Sequence, residues 1–161
     1  MIQGLLRVLE DLHDKNMVLL GLFREERQCL IDNNMERLQG ITLKEMEFGL
    51  QISEVEKLRQ KLVKDIKQHY MITSEVVTIK EISAIAGDTY GDHLLRIGRD
   101  LKETLKEIMD VRILNNTLIQ KMLGFNERNI KLFMNIGNKN LTYDGQGHIK
   151  HSRKQILDSV V

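Results

Sequence analysis

Leu94 to Gly137 read LLRIGRDLKETLKEIMDVRILNNTLIQKMLGFNERNIKLFMNIG. Steps of three and four residues visit Leu94, Ile97, Leu101, Thr104, Ile108, Val111, Asn115, Leu118, Met122, Phe125, Asn129, Leu132 and Ile136, and ten of these 13 positions are apolar. An unbroken 3.5-residue repeat marks one face of a continuous helix. At 1.5 Å per residue such a helix is roughly 65 Å long, more than the interior of a compact domain of this size can hold. The sequence therefore predicts an all-α fold: an elongated antiparallel bundle of three long helices with a short extra helix and a flexible C-terminal tail.

Composition supports that class. The chain has 161 residues, 42% hydrophobic but only 4% aromatic, with no Trp and no Pro. Cores of Leu, Ile and Met suit helix-on-helix packing, and without proline nothing interrupts the helices. Charge is balanced at 24 basic to 23 acidic residues, and the segments 1–70, 71–137 and 138–161 carry −1, 0 and +2. No segment has the basic excess of a nucleic-acid binder. The N-terminus lacks a basic region followed by an apolar core, no apolar run approaches the ~20 residues that span a bilayer, and Cys29 has no partner for a disulfide. The expectation is a cytoplasmic protein without membrane insertion.

The same stepping organises the rest of the chain. Ile2, Leu5, Leu9, Leu12, Asn16, Leu19, Phe23, Glu26 and Leu30 outline a helix over about 2–31. Asp32, Asn33 and Asn34 form a polar turn and an N-cap for a second helix over 35–70, which carries Leu38, Ile41, Glu45, Phe48, Ile52, Val55, Arg59, Leu62, Ile66 and His69. So short a connection makes an antiparallel hairpin. Polar residues at core-type positions (Asn16, Glu26, Glu45, Arg59) predict that this face is partly buried or that charges pair across it. Thr78 and Glu81 have capping-box spacing and Gly87 is a C-cap candidate, so a short helix is expected over 78–87. Val76 to Ile79 also fit a short strand, for which no partner strand is evident. Asp92 is expected to cap the third long helix, 93–136. The bundle then spans 1–137, and 138–161 is a partner-binding tail in which Ile149, Ile156, Leu157, Val160 and Val161 share one side of an amphipathic segment behind Ser152. Asp144 to Gly147 have turn chemistry.

Catalytic and metal-binding patterns are weak. Glu10 and His13 form a single Glu-x-x-His step, whereas di-iron bundles use two with further carboxylates. His148 and His151 have no third ligand nearby, so no metal site and no cofactor is expected. His93 with Arg96 resembles a histidine phosphotransfer pattern, but Ile97 occupies the position that such bundles keep small. Phosphate loops and nucleophile elbows are absent from the sequence, so an enzyme is not expected. A generic coiled-coil interaction protein remains the bland alternative, and the phosphotransfer domain a third.

Glu25 and Glu26 before Leu30, then Leu38, Ile41, Thr42 and Lys44, then Asn116-Thr117-Leu118-Ile119, and finally Thr142-Tyr143-Asp144 with Gly147, resemble the FlgN family of flagellar type III export chaperones. The resemblance covers nearly the whole chain, and its most specific piece is the Thr-Tyr-Asp-x-x-Gly stretch just beyond the last helix. It implies a chaperone that binds the C-terminal helices of the hook-filament junction proteins FlgK and FlgL, prevents premature assembly and delivers them to the export gate. The substrate-binding residues it implies are Phe125, Leu132, Phe133 and Ile136, with Ile149, Ile156, Leu157 and Val160 added on amphipathic spacing. Phe125, Leu132 and Ile136 also lie on the core stripe, where internal packing is the competing reading. Tyr143 matches the family's tyrosine and is the expected contact to the gate component FlhA. A substrate-free chain with an exposed apolar stripe can also pair with its own copy as a homo-oligomer.

Overall fold

The computed structural model describes residues 1–137, 141–143 and 149–151. Its elements are α1 (Ile2–Asp32), α2 (Met35–His69), α3 (Ile79–Gly137), β1 (Leu141–Tyr143) and β2 (Ile149–His151). The chain divides into two compact units, Met1–Leu118 and Ile119–Val161, so that the division falls within α3.

The first unit begins as a helical hairpin. α1 ends where Asn33 turns into the left-handed region (φ 53°, ψ 35°), and the Asn34 N–H bonds to the Cys29 carbonyl at 2.9 Å. Asn is one of few residues other than Gly that take this conformation at small cost. Asn34 then caps α2, its side-chain oxygen accepting from the Arg37 N–H at 3.0 Å. Arg37 reaches Glu25 at 3.1 Å and Lys15 reaches Gln51 at 3.2 Å. Numbers that fall along α2 as they rise along α1 mean antiparallel helices.

Two apolar clusters hold this unit. One gathers Leu5, Leu6, Leu9, Ile66, Ile82 and Leu94, and the other Leu22, Cys29 and Ile41 with Leu38 and Phe48 against it. Of the 35 residues of α2 only Ile41 and Ile66 are buried, so this helix is secured at its two ends. The partial burial expected from its polar core-type positions is observed. Arg59 bonds Glu56 on its own helix at 2.7 Å. Asn16 donates to the Leu12 carbonyl at 2.7 Å, and Glu45 lies near Glu26, a like charge. Pairing of opposite charges among these four residues does not occur.

α3 opens on the capping box. The Thr78 N–H donates to the Glu81 carboxylate at 2.7 Å and the Glu81 N–H to the Thr78 hydroxyl at 3.3 Å. Gly87 (φ 66°, ψ −170°) is the one non-helical residue inside the element. Around it the chain folds back, since a Cβ on Gly91 would lie 2.8 Å from the Ser83 carbonyl oxygen and one on Gly98 would lie 2.6 Å from Ile79 Cδ1. The sequence expectation placed a separate helix at 78–87 and a cap at Asp92. The break falls at Gly87, the C-cap candidate itself, but helical conformation resumes at once at Asp88, so Asp92 sits inside the helix instead of capping it. The physical reason is that Gly87 supplies a backbone conformation closed to L side chains, so no connecting loop is needed.

Within the first unit, α3 after Gly87 runs alongside α1 in the same direction. Thr104 contacts Met17, Glu107 pairs with Arg24 at 2.7 Å, and Arg112 lies 5.6 Å from the Phe23 ring centre. Asn115 is buried and donates to both the Phe23 carbonyl (2.8 Å) and the Glu26 carboxylate (2.6 Å). Such a buried polar contact is lost if the helices slide by a turn, so it selects one register.

In the second unit, β1 and β2 pair antiparallel with Leu141 opposite His151, Thr142 opposite Lys150 and Tyr143 opposite Ile149. The amphipathic segment expected to include Ile149 as a helical position is therefore corrected at that residue. Leu-Thr-Tyr and Ile-Lys-His are strand-prone triplets either side of a glycine-rich stretch, the pattern of a short hairpin.

Candidate protein-binding surface

Residues 119–137 form the part of α3 in the second unit. From Asn116 to Asn135 no residue is buried, although the apolar spacing continues through Met122 and Leu132. Phe125 is 60% exposed, Leu132 59% and Phe133 73%. At 100° per residue, Ile119, Met122, Leu123, Phe125, Ile130, Leu132, Phe133 and Met134 cover roughly 200° of the helix circumference. Gln120, Lys121, Glu127, Arg128 and Lys131 fill the remaining arc, while Asn126 and Asn129 fall within the apolar one. An ordinary surface helix keeps its apolar arc narrower and turned inward, whereas a bare arc of this width is a surface for association.

For Phe125 and Leu132 the competing expectation is internal packing, and both side chains are more than half exposed. Leu123 and Ile130, at 52% and 57% exposure, belong to the same face but were not singled out in the sequence. Their signal was the width of the apolar arc, which a stripe drawn at 3.5-residue spacing passes over. Met122 and Met134 add unbranched, adaptable side chains. Ile136 lies in the helix, and Tyr143 and Ile149 lie in β1 and β2 as an opposed pair. Their side chains, and the whole of Ile156, Leu157 and Val160, fall outside the described residues, as do the turn at 144–147 and His148.

The reactive side chains stay dispersed. Cys29 is a buried free thiol. His13 stands 3.8 Å from Asp14, and His93 is exposed beside Arg96 on the side of α3. Among the described residues, no three His, Cys, Asp or Glu side chains gather as a metal site, and no helix is long and apolar enough to cross a membrane.

An apolar helix face left exposed is the kind of surface that protein-binding modules present. Comparison with known families identifies which one: the family described as FlgN protein matches residues 1–151, and the chain belongs to that family. Membership implies a flagellar export-chaperone role, and the family is one of chaperones, not of enzymes. The matched span includes Phe125, Leu132, Phe133, Ile136, Tyr143 and Ile149 and stops short of Ile156, Leu157 and Val160. Comparisons with curated proteins and with solved structures gave no match.

Proposed function

We propose that this FlgN-family chain works in the cytoplasm as the chaperone of FlgK and FlgL, holding their C-terminal helices on α3 beyond Leu118 and delivering them to the export gate. The observation that carries the reading is the exposed apolar face around Phe125, Leu132 and Phe133. An amphipathic helix that awaits assembly exposes apolar surface in water, and laying it into another apolar helix face removes both surfaces from solvent. Each large side chain so covered contributes about 1.5–3 kcal/mol before ordering costs, so a few of them suffice for binding that is firm yet reversible. Ile136, Ile149, Ile156, Leu157 and Val160 extend the same surface in this reading, and Tyr143 makes the contact to FlhA.

Co-purification with FlgK and FlgL, followed by sizing of the complex, tests the assignment. Phe125→Ala combined with Phe133→Ala is expected to weaken capture by about 30-fold or more, the loss of two hot-spot side chains, with unchanged helicity. Full capture by the double variant would remove this face from the substrate site. Tyr143→Ala is expected to keep junction-protein binding and to lose retention on FlhA in a pull-down; equal retention of variant and wild type would refute the gate role.

A further inference from the structure

We propose that α3 carries a second docking surface, within residues 79–113, that accepts an acidic amphipathic helix of a partner other than the cargo. This surface goes beyond the cargo site, since all of its residues lie in the first unit. Ile79 and Ser83 rest on one side of α3 at Gly98 and Gly91, a seat where glycines let another helical segment approach closely. The same side of α3 continues as Leu105, Met109 and Ile113, spaced four residues apart, and there it is bare: Met109 is 64% exposed and Ile113 61%. A face that already accepts the chain's own helical segment at one end thus runs on uncovered for about two more turns.

The charge of this face says what covers it. Two adjoining concavities of about 750 and 710 Å³ share Gly98, Arg99 and Lys102. Their apolar lining is Ile79, Leu95, Leu101, Leu105 and Met109, and their charged lining is Lys80, Arg96, Arg99, Lys102 and Lys106 against only Asp92 and Glu103. None of the five cations has a carboxylate within 4 Å among the described residues. In a chain whose overall charge is only +1, this is a local excess. Apolar positions at helical spacing call for a partner helix with its own apolar stripe, and the unpaired cations beside them call for Glu or Asp on its flanks. Phosphate-bearing surfaces would answer the cations but leave Leu105, Met109 and Ile113 uncovered.

The test uses the full chain and a synthetic helical peptide about four turns long, with a Leu stripe flanked by Glu, in a fluorescence-anisotropy titration. Controls are a scrambled peptide of the same composition and a version with Lys in place of Glu. The Glu-flanked peptide is expected to bind at least about tenfold tighter than either control, and more weakly as salt rises. Lys102→Glu with Lys106→Glu is expected to invert the preference toward the Lys-flanked peptide, a gain that a misfolded variant cannot show. Met109→Ser is expected to weaken binding about fivefold or more, and Phe125→Ala with Phe133→Ala to leave it intact. Four outcomes would overturn the proposal. They are equal binding of the scrambled peptide, loss of binding in the Phe125 and Phe133 variant, binding of anionic phospholipid vesicles that depends on Lys102 and Lys106 as strongly as peptide binding does, or a dimer of the free chain that Met109→Ser disperses.

Discussion

Glu45 shows how a single residue can carry a cost that its own sequence neighbours do not reveal. Its carboxyl is pushed up to about 7, first by burial and then by the Glu26 carboxylate, with Arg112 pulling the other way. One of its oxygens is buried without a hydrogen-bond partner among the described residues. The folded chain therefore keeps a proton that the unfolded chain, at the ordinary value of 4.5, releases. Stability falls as pH rises from about 4.5 to about 7 and levels off above that window, the reverse of a salt-bridged carboxylate. Glu45→Gln removes the charge and keeps the shape, so it should raise the melting temperature near pH ~8 and leave it unchanged near pH ~4. An equal rise at both pH values in a thermal scan would refute this assignment. Glu45 and Glu26 were visible in the sequence as polar residues on core stripes. That they face each other was not, because spacing along each helix is periodic and does not say which turn of α1 meets which turn of α2.

At the scale of elements, local chemistry announced most boundaries. α1 and α2 begin and end within a residue of their expected limits, because the Asn33 turn and the Asn34 cap depend only on neighbours in sequence. The Thr78 and Glu81 capping box was equally readable. The start of the last long helix was misplaced because Asp92 looks like a cap, whereas Gly87 alone makes the break. Gly87→Ala places an L side chain at a φ of 66° and ψ of −170° and is expected to cost about 1–3 kcal/mol. Gly91→Ala must also displace the Ser83 carbonyl and should destabilise, while Gly21→Ala, which meets nothing within 4 Å, should gain about 0.5–1 kcal/mol. Urea midpoints for the three variants check the order, and a neutral Gly87→Ala would sink the account of the break. Leu-Thr-Tyr and Ile-Lys-His illustrate the opposite difficulty. Three residues are too few to show a period, so the pairing of the two triplets is not legible in the sequence, and Ile149 alone fits an amphipathic segment as well as a strand.

For the whole molecule, the proposed division of labour places the scaffold in the first unit and the cargo surface in the second. Deleting residues 138–161 is expected to leave helicity and the unfolding transition nearly unchanged, because both buried clusters lie within residues 1–118. Capture of FlgK and FlgL C-terminal peptides should be weakened by the same deletion, and undiminished capture would end the proposed role of Ile149, Ile156, Leu157 and Val160. By itself the sequence determined the helical class, the hairpin turn, the caps at Asn34 and Thr78 and the resemblance that family membership bears out, since each rests on spacings of three to seven residues. Only the tertiary structure decided that α3 runs with α1 in the register held by Asn115, that Glu45 meets Glu26, and that Phe125 and Leu132 stay exposed on a stripe which elsewhere builds the core. The physical reason is that a periodic apolar pattern specifies a face but not its partner. Whether a given turn of that face is buried depends on which distant residues lie opposite it, and those are brought there by the fold.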